Sequence, residues 1–115
     1  EVDDHGVDFI AKKKDTEIFY EVQVKSLYKG NYTYIDKKKI ILDDRHLVCV
    51  LLFTHCQLPK VYVIPAAAWL CPNAALPDYE YNAPELKSKP EWGISLAKKN
   101  LPLLEKYKAE NYLGK

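Results

Sequence analysis

Two stretches of alternating apolar and polar residues stand near the start of the chain. Asp8 sits among Val7, Phe9 and Ile10, and further on Glu21, Gln23 and Lys25 alternate with Tyr20, Val22 and Val24. Alternation with a period of two predicts strands that put one face on a core and the other in water. The two strands are expected over residues 6–13 and 18–26, with the polar residues 14–17 as the turn between them. A turn centred on Asp15 and Thr16 makes the numbers of facing residues sum to 31 and sets Asp8 opposite Gln23. A register summing to 29 sets Asp8 opposite Glu21 instead. Either pairing leaves Asp8 on the face that carries Glu21, Gln23 and Lys25, because same-face neighbours recur every second residue.

Further along, Gly30 and Asn31 punctuate a turn, and residues 32–35 alternate weakly enough for a short strand. Residues 37–45 are ambiguous, with Asp43-Asp44 as a turn or cap. The apolar run at residues 47–54 predicts a buried strand, and residues 61–64, closed by Pro65, predict another. The short turn at residues 57–60 makes these two an antiparallel hairpin. Residues 66–70 fit a short helical turn. Four prolines within residues 72–90 read as an extended surface loop. Asn100 is placed to cap a final helix over residues 101–113, with Pro102 in its first turn and Leu101, Leu104 and Tyr107 as its packing stripe. Trp69 and Trp92 are expected to anchor loop and helix on the core.

The length of 115 residues favours a single domain, 1–115, around one core. Its 48% hydrophobic and 29% charged residues are those of an ordinary globular protein. No apolar run approaches the ~20 residues of a membrane helix. Three cysteines, an odd number, exclude a complete intramolecular disulfide framework and fit a reducing cytoplasm. His46, Cys49, His55 and Cys56 offer zinc-ligand types at spacings that match no standard finger. A net charge of +1 says little as a total, but lysines cluster at residues 12–14, 37–39 and 98–99. Such runs are solvated surface in most proteins and a phosphate-facing surface in some. The chain starts at Glu1 and holds no methionine, so upstream residues are expected to precede it.

The polar face of the first two strands carries the candidate chemistry. A hard cation such as Mg²⁺ takes oxygen ligands and keeps several waters, so one or two protein oxygens suffice beside a substrate phosphate. Asp8 offers a carboxylate, Gln23 an amide oxygen, and Val24 its main-chain carbonyl. Lys25 would project beside such a metal, where an ammonium can orient water or stabilise a phosphorane-like transition state.

These residues carry a resemblance. Gly6-Val7-Asp8-Phe9-Ile10 followed by Val22-Gln23-Val24-Lys25-Ser26 resembles the PD-(D/E)XK nuclease superfamily, which includes restriction endonucleases and Holliday-junction resolvases. Within it, the pattern is similar to a bacterial family of unknown function in which Gly-x-Asp and Gln-Val-Lys-Ser recur. The likeness is strong over residues 3–26 and extends loosely through the strands at 47–54 and 61–64. It implies an α/β (α+β) fold with a restriction-endonuclease-like core, a mixed sheet flanked by helices, whose N-terminal acidic helix would lie before Glu1. It implies DNA as partner, cleavage with Mg²⁺ or Mn²⁺, and a homodimer where both strands are cut. Asp8, Gln23 and Lys25 then take the catalytic positions, with Asp8, Gln23 and the Val24 carbonyl on the metal. Glu21, Ser26 and His5 would support them: Glu21 by replacing charge, Ser26 by a hydrogen bond, His5 by reaching phosphate or water. The departure is Gln23, an amide where the motif usually carries a carboxylate, which removes one negative charge.

Two other readings stay open at this level. One is a nuclease-like module that binds nucleic acid or a protein without cutting. The other is an unrelated α+β interaction domain whose polar strand face is simply solvated. Tyr20, Tyr32 and Tyr34 read as packing residues rather than base-stacking platforms.

Overall fold

The computed structural model describes residues 8–28, 30–80 and 90–112. Strand β1 (Phe9–Lys12) turns back into β2 (Phe19–Leu27), and the two pair antiparallel with Phe9 against Val22 and Ile10 against Glu21. This is the register that sums to 31. The turn is locked locally: Thr16 Oγ1 donates to the Lys13 carbonyl at 2.8 Å and accepts from the Ile18 N–H at 3.1 Å. Asp15 adopts φ +62°, a left-handed conformation that aspartate tolerates better than most side chains.

After β2 the chain leaves the sheet. It forms β3 (Tyr32–Asp36), makes a 3-10 turn at Lys37–Lys39, and returns as β4 (His46–Leu52), parallel to β2. Gly30, at φ +84°, supplies the left-handed residue that the exit turn needs. Asp43 sets the start of β4, since its Oδ1 accepts the N–H groups of Arg45 at 2.9 Å and His46 at 3.0 Å. Strand β5 (Lys60–Pro65) then pairs antiparallel with β4, as the two apolar runs predict. The first sheet is therefore mixed, in the order β1-β2-β4-β5.

A second sheet was not expected from the sequence. Strand β6 (Asp78–Tyr79) and β7 (Glu91–Ser95) join β3 in the order β3-β7-β6, all antiparallel. The proline-rich segment is thus not wholly a surface loop. Its Ala75 and Leu76 are buried in the core, and Asp78–Tyr79 pairs with β7. Residues 81–89 lie outside the described residues.

The main core fills the space between the two sheets. Val48, Val50, Tyr62 and Ile64 from the first sheet meet Ile35 and Ile94 from the second, with Trp69, Leu76, Leu96 and Leu104 around them. Trp69 is an anchor, as expected; its indole N–H donates to the Gly93 carbonyl at 2.9 Å. The opposite face of the first sheet has a smaller cluster of Val22, Leu47 and Val63, against which Ala11, Tyr20, Cys49 and Ala109 pack.

The expected helix over residues 101–113 is broken. It becomes α1 (Leu101–Leu104), a 3-10 turn at Glu105–Tyr107, and α2 (Ala109–Tyr112). The physical reason is the edge of β5. Lys108 takes an extended conformation (φ −56°, ψ 139°) and bridges Tyr62, so the chain crosses the sheet edge there. Leu104 and Tyr107 stay on the main core while Ala109 reaches the opposite cluster. Asn100 does not cap the helix; its side-chain amide donates to Ser95 Oγ at 2.8 Å and to the Ala74 carbonyl at 3.3 Å. The fold is α+β with a mixed sheet and few helices. No helix among the described residues is long and apolar enough to cross a membrane.

Candidate functional site

Strand β2 decides the site. Its odd residues pair with the core-facing residues of β4, Gln23 with Val48 and Lys25 with Val50. In a sheet, paired residues share a face. Gln23 and Lys25 therefore point toward the side covered by the second sheet, not into open water as alternation alone predicts. Gln23 is only 4% exposed, whereas the apolar Ile10, opposite Glu21 on this face, is 65% exposed.

Burial would leave an amide without partners, but Lys39 supplies one. Gln23 Nε2 donates to the Lys39 carbonyl at 2.8 Å. Only the NH₂ side of the amide can meet a carbonyl, so this bond also assigns Oε1 to the other side, where it is a ready acceptor. Asp8 immediately precedes β1, whose pairing begins with Phe9 against Val22. Its N–H donates to the Val22 carbonyl at 2.9 Å, and its Oδ2 accepts the Val24 N–H at 2.6 Å. The N–H and C=O of one strand residue point to the same edge. The Val24 carbonyl accordingly faces the edge on which Asp8 sits.

Lys25 is half-buried and forms no hydrogen bond or ion pair among the described residues. Burial holds its ammonium below the ordinary pKa of 10.5. The Asp8 carboxylate pulls the other way, and the Lys39 charge adds to the lowering. Asp8, Lys25 and Lys39 thus share one electrostatic neighbourhood.

The structure brings Asp8, Gln23, Lys25 and the Val24 carbonyl together. Glu21 lies on the same face but turns to β4, where its Oε2 is 3.6 Å from His46 Nε2. His46 is itself held by Asp43, Nδ1 to Oδ1 at 2.6 Å. Glu21 therefore sits beside a histidine rather than beside Asp8. Ser26, an even-numbered residue of β2, lies on the opposite face, is exposed, and makes no side-chain hydrogen bond among the described residues. That position does not support the expected contact with the site. His5 lies outside the described residues.

Lys39 is the residue that sequence reasoning passed over. It stood in a lysine run, and nothing in the run distinguishes it from its neighbours. Among the described residues no group of three or more His, Cys, Asp or Glu is placed to hold a metal ion. The donor set that the described residues offer here has a different composition, with one carboxylate, one amide oxygen and one peptide carbonyl. Three oxygens with a single negative charge suit a hard cation that keeps part of its water shell.

No protein-family model, curated protein or solved structure matches this chain.

Proposed function

We propose that the chain cleaves DNA phosphodiester bonds in the presence of Mg²⁺ or Mn²⁺. The observation that carries this reading is the Asp8 carboxylate seated on the Val24 N–H, between Gln23 and Lys25 in β2. Asp8, Gln23 Oε1 and the Val24 carbonyl would hold the cation. When bound, such an ion lowers the pKa of a water and polarises the phosphate. Lys25 supplies a partly desolvated ammonium beside the reacting phosphate, where charge stabilisation is worth more than in water. The mixed order β1-β2-β4-β5, with the Asp strand next to the Gln-x-Lys strand, supports a restriction-endonuclease-like core.

A second reading rests on Gln23. Its amide is buried and bonded to the Lys39 carbonyl, so it already has a structural role, and among the described residues the site's donor set has one carboxylate where two would bind a cation more tightly. A module that binds DNA without cutting it fits that feature.

The test is cleavage of supercoiled plasmid and branched DNA with each metal, using Lys25→Ala and Asp8→Ala as controls. Metal-dependent cutting that both variants lose supports the enzyme. DNA binding without cutting by the unaltered protein leaves the binding module.

A further inference from the structure

We propose that Lys39 is a phosphate-binding residue, forming with Lys25 a two-lysine cradle for the DNA backbone. This deepens the DNA-cleaving reading and rests on it for the identity of the ligand.

The lysine run 37–39 is not uniform once folded. Lys37 is neutralised: its ammonium meets both Asp78 and Glu80 and lies 4.1 Å from the centre of the Trp92 ring. Lys38 is exposed, with its N–H taken by Asp36 Oδ1 at 2.9 Å. Lys39 is exposed like Lys38, and its main chain sets it apart. Its carbonyl is tied to the Gln23 amide at 2.8 Å, which fixes its backbone over the candidate site. Its side chain makes no ion pair or hydrogen bond among the described residues. Its charge acts on Lys25, which likewise has no ion pair there.

The Lys39 main chain is thereby held beside Gln23, two residues from Lys25 in β2, and the Asp8 carboxylate next to them already accepts a main-chain N–H. Like charges held together cost free energy that an arriving anion removes. A phosphodiester has the matching charge and several acceptor oxygens, and lysine binds phosphate as a point charge without demanding planar geometry. Lys25 stands at the motif and Lys39 at the rim, so Lys39 would hold a phosphate during docking while Lys25 serves the one that reacts.

The experiment measures binding of a fluorescent DNA duplex by anisotropy, with Ca²⁺ present, across a series of salt concentrations. The full chain is compared with Lys39→Ala, Lys39→Arg and Lys38→Ala. Each neutralised phosphate contributes about 0.9 to the slope of log K against log salt. Lys39→Ala should lower the slope by about one and weaken binding several-fold. Lys39→Arg should restore both, and Lys38→Ala should change neither comparably. Because the alanine variant keeps the carbonyl that Gln23 uses, a purely structural role would not move the slope. Equal slopes for the full chain and Lys39→Ala, or no DNA binding by the full chain, overturn the proposal. Cleavage assayed in parallel separates the two readings. A Lys39-dependent slope without metal-dependent cutting keeps the phosphate site and removes the nuclease. Cutting with an unchanged slope keeps the nuclease and removes the role of Lys39.

Discussion

The Asp8 carboxylate accepts the main-chain N–H of Val24 at 2.6 Å, bridging from the residue before β1 to the middle of β2. One carboxylate oxygen is thereby oriented by the sheet itself, and the other is left for a ligand. Asp8→Ala should cost about 1 kcal/mol in urea unfolding through loss of that bond. Asp8→Asn keeps an acceptor and should lose less. Both variants should lose any rise in melting temperature that Mg²⁺ or Mn²⁺ gives the unaltered protein. A rise retained in Asp8→Ala would place the cation elsewhere.

Gln23 offers a sharper test, because two substitutions at this position separate packing from charge. Gln23→Leu removes the donor to the Lys39 carbonyl and should destabilise by about 1–3 kcal/mol. Gln23→Glu loses the same donor and places a carboxylate against that carbonyl, so it should be similarly unstable without metal. With Mg²⁺ present it should recover, since a second carboxylate strengthens the oxygen site. Melting curves with and without Mg²⁺ for the two variants show whether only the glutamate responds.

Lys25 predicts a particular pH dependence. Burial holds its folded pKa below 10.5, the unfolded value, so the folded chain binds fewer protons between those two points. Stability should therefore rise with pH across that window. Lys25→Met keeps the aliphatic stem, should be more stable at neutral pH, and should lose that rise. Urea midpoints measured from pH 7 to 11 check the sign. Cleavage should fall about 100-fold or more in the same variant.

Asp43 works in the opposite direction and at low pH. Burial pushes its carboxyl up, but the His46 ring and the N–H groups of Arg45 and His46 outweigh that and hold it below 3.8. Its contribution is complete above 3.8 and is lost as pH falls through the lowered folded value. Asp43→Asn should be about 1 kcal/mol less stable at pH 7, and the gap should close in acid. Circular dichroism melts at pH 7 and pH 2.5 measure the gap.

Gly93 reports on the second sheet. A Cβ there would come within 2.5 Å of Tyr32 Oη and 2.9 Å of Pro77 Cγ. The Tyr32 hydroxyl donates to the buried Glu91 carboxylate, so moving the ring also disturbs that pair. Gly93→Ala should cost about 1–3 kcal/mol, and Tyr32→Phe should relieve part of the clash. A double-mutant cycle by urea unfolding measures the coupling.

Local patterns carried much of the first sheet. The turn closes through Thr16 on the Lys13 carbonyl and the Ile18 N–H, and of the two registers the sequence left open it is the one summing to 31 that forms. The apolar runs that became β4 and β5 paired across a short turn, again a local decision. The second sheet was not legible, because β3 pairs with a strand about sixty residues later and β6 is two residues long. The helix at 101–113 had an acceptable pattern but broke where Lys108 met the edge of β5, a contact the sequence does not encode locally.

For the candidate site the division is similar. Period-two geometry placed Gln23 and Lys25 on one face of β2, since side-chain direction in a strand follows from residue number alone, while Asp8, just before β1, meets β2 through the Val24 N–H. Which way that face points followed from the parallel pairing of β2 with β4 and from the second sheet packing against it. Those long-range contacts buried Gln23, lowered the Lys25 pKa, and brought the Lys39 main chain onto the Gln23 amide. A strand fixes the order of its own side chains. Their solvent exposure and charge partners come from chain segments that only folding brings near.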